Sequence, residues 1–192
     1  MGAGSFQSFV LMWSPMTAAM MLPSALPFIV SVARRSRAWA PASVAVVAAY
    51  LLVWTGFGVG AYLVSGAVSL PIPASIAAGV ALAFAGLYSM TPLMRAGRAR
   101  CIAMCHERGQ LGLQAAAAKG ITYGLSCVAC SAGVMAAIVV LGMSNVGWVV
   151  AGATVVLFYK LAGRWTASVN GALSLAIVQI GFAVVLGFTQ MS

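Results

Sequence analysis

The sequence predicts an all-α polytopic membrane protein with about six transmembrane helices, and three observations support this. Of the 192 residues, 63% are hydrophobic and only 6% are charged, whereas a soluble domain carries roughly 25% charged residues. The apolar residues form six segments, most of them long enough to cross the hydrocarbon core as helices. All ten Lys and Arg residues fall on one side of these segments. We therefore expect a single helical-bundle domain, residues 1–192, in a lipid bilayer.

The first predicted span runs from about Phe9 to Ala33 and contains Pro15, Pro23 and Pro27. Each proline removes a backbone donor and crowds the preceding turn. We therefore expect a kinked helix, which a membrane tolerates where neighbouring groups or water satisfy the released carbonyls. The residues before this span lack the positive region of a secretory signal, so we expect the span to be retained.

Five further spans are expected along the chain. They run from about Pro41 to Ser65, Ile72 to Met94, Ala115 to Leu141, Val146 to Tyr159 and Ser168 to Phe188. The longest polar gap, about residues 95–114, is expected to be a cytoplasmic loop. Trp54 and Tyr62 are interpreted as anchors at the membrane interface.

The basic residues predict the orientation. They follow the first, third and fifth spans, and one lies at the entrance to the fourth span, from which it can reach the same surface. They are Arg34, Arg35, Arg37, Arg95, Arg98, Arg100, Arg108, Lys119, Lys160 and Arg164. Because cytoplasmic loops collect Lys and Arg, both termini should face out, into the periplasm or extracellular space. The topology accounts for these charges, so we expect no nucleic-acid partner.

Methionines in the first span form a regular pattern. Met12, Met16 and Met20 recur every four residues and therefore share one helical face. A thioether is a soft ligand suited to Cu(I). Methionine is also a flexible apolar filler of irregular gaps, so the stripe admits both a metal-binding and a packing interpretation.

The four cysteines fall in two close pairs, too few for a secreted disulfide framework. Cys127 and Cys130 lie three residues apart in the fourth span, so on a helix they share one face, with Met135 further along. Cys101 and Cys105 lie in the arginine-rich polar gap. Each pair could hold a soft metal, although buried cysteine is also a small hydrophobe that packs well.

Several classes of protein are disfavoured. The chain has one acidic residue, Glu107, and no charged residue in the middle of a span, which disfavours a proton-driven pump. It contains no P-loop, GxSxG or HExxH motif. Its single histidine, His106, cannot build a haem pair. The sequence therefore favours a protein that is not an enzyme.

Four runs of residues resemble a known family. They are Met12-Trp13-x-x-Met16-x-x-Ala19-Met20-Met21-Leu22-Pro23-Ser24, Tyr50-Leu51-x-Val53-Trp54, Tyr88-x-x-Thr91-Pro92 followed by Cys101 and Cys105, and Gly124-x-x-Cys127-x-x-Cys130 leading to Met135. They resemble, in order, the motifs of a bacterial family of unknown function described as predicted metal-binding integral membrane proteins. The resemblance implies a multi-helix membrane protein whose Met and Cys positions bind metal, and it implies no reaction.

Three departures indicate a divergent member of that family. A Cys-Cys-Trp run is replaced by Cys130-Ser131-Ala132, a lysine after Thr-Pro is replaced by Met94, and a Glu-Lys pair is replaced by Tyr159-Lys160.

The leading hypothesis is a membrane protein that binds a soft metal, Cu(I), for metal handling or delivery. Its expected ligands are Met12, Met16, Met20, Cys101, Cys105, Cys127, Cys130 and Met135. One alternative is a non-catalytic accessory subunit of a larger membrane enzyme complex, covered by partner subunits or by a second copy of itself. Another is a membrane thiol–disulfide protein using Cys127 and Cys130.

Overall fold

The computed structural model describes residues 6–67 and 74–141, together with Thr154. Within these ranges the chain forms five helices, and no strand occurs there. They are α1 (Phe6–Arg35), α2 (Trp39–Ala67), α3 (Ala74–Ser89), α4 (Pro92–Cys105) and α5 (Leu113–Leu141). The all-α prediction is confirmed for this part of the chain. The predicted fifth and sixth spans lie outside it, apart from Thr154.

Three of these helices are long and apolar enough to cross a membrane. The qualifying segments are Phe6–Arg35, Trp39–Val64 and Leu113–Val140, which match the predicted first, second and fourth spans. Helix α1 is continuous through its three prolines. The total of six spans and the kink in α1 remain predictions.

The region around Pro92 differs from the prediction of one span ending at Met94 and a loop beginning at residue 95. Helix α3 ends at Ser89, and α4 begins at Pro92 and continues to Cys105. The residue before a proline is disfavoured in helical conformation, whereas proline suits the first position of a helix. The Thr91 hydroxyl caps α4 by accepting the Met94 N–H at 3.3 Å. Non-helical backbone is thus confined to residues 106–112 of the expected loop, where Gly109 adopts a positive φ of 112°.

The described residues belong to two compact units. The first contains the chain up to Leu63 and Gly97–Ala129, and the second contains Val64–Ala96 and the chain from Cys130. In the second unit, the ring of Tyr88 packs on Gly133, where an added Cβ would lie 2.8 Å from Cδ1 of the ring.

Glycines bring the helices of the first unit close together. A Cβ at Gly120 of α5 would lie 2.8 Å from the Val46 carbonyl oxygen of α2, and a Cβ at Gly58 of α2 would overlap the Trp13 indole of α1. Such close approach is typical of helices that associate in lipid. It positions the side chains of α1, α2 and α5 around one core.

A polar cluster lies at one end of the first unit. The Lys119 ammonium donates to both Glu107 carboxylate oxygens at 2.8 and 2.6 Å, and Arg35 lies 3.8 Å from the same carboxylate. The Leu111 N–H donates to the Arg35 carbonyl at 3.1 Å. The end of α1, the loop after α4 and the start of α5 therefore meet here. We call Arg35, Glu107 and Lys119 the Glu107 cluster.

Candidate metal site

The predicted methionine stripe of α1 lies at the edge of the helical face that packs into the core. Residues of α1 that are buried are Trp13, Thr17, Met20, Met21, Ser24, Ala25, Phe28 and Val32. Met20 is 4% exposed, whereas Met12 is 42% exposed and Met16 is half-buried. Met20 therefore lies in the core that the described residues form, whereas Met12 is exposed and Met16 is partly exposed. Met12 and Met16 remain available to a metal ion, to lipid or to other protein segments.

Cys101 and Cys105 lie one turn apart in α4, so they share one face of that helix. Cys101 is buried and Cys105 is half-buried, and the Cys105 thiol donates to the Cys101 carbonyl at 3.3 Å. Arg98 and Arg100 belong to the same helix. The half-buried Cys105 and the buried Cys101 therefore lie in a helix that also carries several arginines.

The sulfur-bearing residues of α5 are buried more deeply. Cys127 is 0% exposed, Cys130 is 8% exposed and Met135 is fully buried. Cys127 and Cys130 are one helical turn apart, so their side chains project from the same side of α5. All four cysteines of the chain are thiols.

Cys127 has a polar partner that sequence analysis did not assign. The Tyr50 hydroxyl of α2 lies 3.1 Å from the Cys127 sulfur, and either atom could be the donor. Tyr50 appears in one of the motifs that carry the family resemblance. Nothing in the sequence pairs it with Cys127, however, because 77 residues separate the two positions.

Aromatic rings surround this pair. Tyr50 packs beside Tyr123 at a centroid distance of 5.9 Å, and Tyr123 stacks on Phe28 at 4.0 Å. Trp54, expected at the membrane interface, is instead 1% exposed and lies 6.5 Å from the Tyr50 ring. Cys127 is therefore held in apolar surroundings, with a phenol as the polar group placed against its sulfur.

The described residues include no group of three or more His, Cys, Asp or Glu side chains that could hold one metal ion. Glu107 is occupied by Lys119 and Arg35, and His106 is exposed.

Comparison with known proteins gives one match. The chain fits the model of the PpoB2 family, described as copper chaperone, over residues 10–184. The chain belongs to this copper chaperone family. No curated protein and no solved structure matches it. Family membership supports the predicted connection to copper handling.

Proposed function

We propose that this protein binds Cu(I) through sulfur ligands within the bacterial inner membrane and delivers it to a copper-requiring membrane partner. The observation that carries the proposal is the copper chaperone match over residues 10–184. The match is supported by three helices among the described residues that are long and apolar enough to cross a membrane. Delivery is the role expected of a copper chaperone.

The chemistry of the buried sulfur atoms supports Cu(I) as the cargo. Cu(I) carries one positive charge, and a cysteine binds metal as a thiolate with one negative charge. A thiolate with neutral thioether ligands therefore gives an uncharged assembly, which avoids the penalty of burying a net charge in apolar surroundings. Cys127 would lose its proton on binding Cu(I), and the Tyr50 hydroxyl beside its sulfur could then donate to the thiolate.

We assign the remaining ligands by their position along the chain. Cys130, one turn from Cys127, would be an alternative thiolate in the centre of the membrane, so that one thiolate holds the ion at a time, with Met135 further along α5. The stripe of Met12, Met16 and Met20 would serve the outer half. The pair of Cys101 and Cys105 would serve the cytoplasmic side, giving a path of soft ligands across the bilayer.

The proposed topology has six spans, a proline-kinked first helix and both termini outside. The Glu107 cluster supports the placement of α1 and α5, because the basic end of α1 and the basic start of α5 meet at one end of the first unit. This common end agrees with the rule that basic residues collect on the cytoplasmic side.

The proposal is tested by copper content. The full-length protein is purified in mild detergent under anaerobic reducing conditions, loaded with Cu(I), freed of excess metal and analysed for copper per chain. We expect stoichiometric copper in the wild type and a reduced amount in the double variant Met16→Leu/Cys130→Ser. The variant Met90→Leu is a suitable control, since Met90 is 44% exposed and is not a proposed ligand. Sub-stoichiometric copper in the loaded wild type would refute the proposal.

The accessory-subunit alternative predicts a different result after gentle solubilisation. A permanent subunit of an enzyme complex should co-purify with that complex whether or not copper is present. A chaperone should be isolated by itself or with a partner whose retention depends on copper. A stable monomer that binds Cu(I) would therefore favour the chaperone.

A further inference from the structure

Tyr50 lies between two polar side chains in the core of the first unit. Its hydroxyl is 3.1 Å from the Cys127 sulfur of α5, and it also has a hydrogen-bonding interaction with the Trp54 side chain. Tyr50 and Trp54 are four residues apart in α2, so they share one face of that helix. The three side chains therefore form a short polar chain, Trp54–Tyr50–Cys127, which crosses from α2 to α5.

All three members of this chain are buried among the described residues. Tyr50 and Trp54 are each 1% exposed, and Cys127 is 0% exposed. The Trp54 carbonyl accepts the Trp13 indole N–H at 3.1 Å, which holds this turn of α2 against α1. A polar group buried in this way must bond to its protein neighbours, because leaving it unpaired is costly.

The chemistry of the groups determines the donor at each link. An indole N–H can only donate, so the Tyr50 oxygen accepts from Trp54. The Tyr50 O–H then needs an acceptor of its own, and the Trp54 side chain offers none. Among the described residues, the Cys127 sulfur is the other hydrogen-bond partner of this hydroxyl. The Tyr50 proton is therefore directed at the sulfur.

We propose that Trp54 is a positioning residue for the buried thiol, because its indole N–H commits the Tyr50 hydroxyl to donate to the Cys127 sulfur. A cysteine that binds metal does so as a thiolate, and a charged acceptor takes a stronger hydrogen bond than a neutral one. The donor is thus aimed at the sulfur before a metal ion arrives. The role toward Cu(I) rests on the proposed function, whereas the hydrogen-bond chain exists without metal.

The link from Trp54 to Tyr50 is tested in the metal-free, full-length protein by NMR in detergent, with ¹⁵N-labelled tryptophan. Tyr50→Phe removes the oxygen that accepts from Trp54, so the Trp54 indole proton should move upfield. The Trp13 indole is the matched control and should keep its position, because its N–H donates to a backbone carbonyl. A Trp54 signal that does not move would overturn the proposal.

The link from Tyr50 to Cys127 is tested by infrared spectroscopy of the S–H stretch. Subtracting the spectrum of Cys127→Ser isolates the Cys127 band, in the wild type and again in a Tyr50→Phe background. Because the sulfur accepts from Tyr50, loss of the hydroxyl should not raise this band to the frequency of a non-bonded thiol. Such a rise would mean that the thiol donates to Tyr50, which is the opposite direction.

The role of Trp54 in copper binding is tested by the Cu(I) affinities of Trp54→Phe, Tyr50→Phe and the double variant. Trp54→Phe should weaken binding by up to about tenfold, the lower end of the range for a group that orients a ligand. The double variant should bind no more weakly than Tyr50→Phe, because Trp54 acts through Tyr50. Trp13→Phe is the control: Trp13 is equally buried but lies outside the chain, so its affinity should stay near that of the wild type.

These affinities separate failure of this inference from failure of the proposed function. Additive losses in the double variant would show that Trp54 has only a structural role. A wild type that holds copper, with an unchanged affinity in Trp54→Phe, would refute the inference alone. A loaded wild type without copper would refute the proposed function and, with it, the role of Trp54 toward Cu(I).

Discussion

Cys127 and Cys105 lie in the same compact unit, yet their surroundings differ in every respect that controls sulfur chemistry. Cys127 is fully buried in α5, with the Tyr50 hydroxyl against its sulfur and stacked aromatic rings nearby. Cys105 is half-buried in α4, and its thiol donates to the carbonyl of its own helix. Under the proposed function, the first environment would retain Cu(I), because burial limits the access of water and competing ligands. The second suits exchange, because an incoming ligand can reach the sulfur.

The largest effect is expected from Cys127→Ser. We expect the Cu(I) affinity to fall by roughly 100-fold or more, equivalent to about 2.8 kcal/mol, since a serine oxygen is a poor ligand for a soft ion. Competition with a colorimetric Cu(I) chelator measures the loss. Ser126→Ala is the control on the same helix, because the Ser126 hydroxyl donates to the Thr122 carbonyl of that helix.

Cys105→Ser should reduce the affinity less than Cys127→Ser does. It should instead slow the release of Cu(I) to an added chelator. Equal losses of affinity in the two variants would contradict the contrast between a retaining and an exchanging thiol.

The two thiols should also differ in reactivity. We expect a maleimide reagent to alkylate Cys105 at least about ten times faster than Cys127 in the folded protein, because thiol reactivity depends on access as well as on thiolate character. Timed labelling followed by peptide mass spectrometry measures both rates. Labelling in denaturant provides the control, since the difference should disappear when the protein unfolds. Comparable rates in the folded protein would mean that Cys127 is open to solvent.

Tyr50→Phe tests whether the Tyr50 hydroxyl contributes to copper binding at Cys127. The ring and its packing are kept, while the hydroxyl 3.1 Å from the Cys127 sulfur is lost. Removal of a group that orients a metal ligand typically costs about 10- to 100-fold in affinity, and we expect the lower end of that range. Tyr62→Phe, further along the same helix, is the control. An unchanged affinity in Tyr50→Phe would show that Cys127 needs no orienting partner.

The smallest effect is expected from Glu107→Gln, in the loop that follows the accessible pair. The Glu107 and Lys119 side chains are about one-third exposed, so solvent screens their interaction, and we expect a loss of about 0.2–1 kcal/mol in the free energy of unfolding. Thermal unfolding at low and high salt measures this loss, which should shrink as salt rises. Copper affinity should be unchanged. A loss of affinity like that of Cys127→Ser would mean that the Glu107 cluster controls the buried site.

Length and apolar composition were sufficient to predict α1, α2 and α5, because a membrane span needs little else. The break between α3 and α4 was missed, although the Thr91-Pro92 pair that causes it stands in the sequence. The core face of α1 could not be predicted, since a membrane helix is apolar on every side and its periodicity does not separate lipid from protein. For that reason the spacing predicted that Met12, Met16 and Met20 share a face, but it did not predict that Met20 is buried and Met12 exposed.

Residue chemistry was enough to predict candidate soft-metal ligands, but it did not predict which side chains lie beside them. Cysteine and methionine indicate a soft metal by their chemistry alone, and the family match agrees with copper. The contact of Tyr50 with Cys127 joins separate helices. A cavity beside Trp13 and Trp54 is likewise lined by residues of two helices. Such contacts depend on how helices pack, which a single sequence does not reveal.

The close approach of Gly58 to the Trp13 indole has a consequence for biogenesis. Helices α1 and α2 are consecutive and joined by residues 36–38, so their contact can form as soon as both have left the ribosome and entered the membrane. Cys127 and Tyr123 are synthesised later. We therefore expect the hairpin of α1 and α2 to bring Phe28 and Tyr50 together first, and the insertion of α5 to complete the surroundings of the buried thiol.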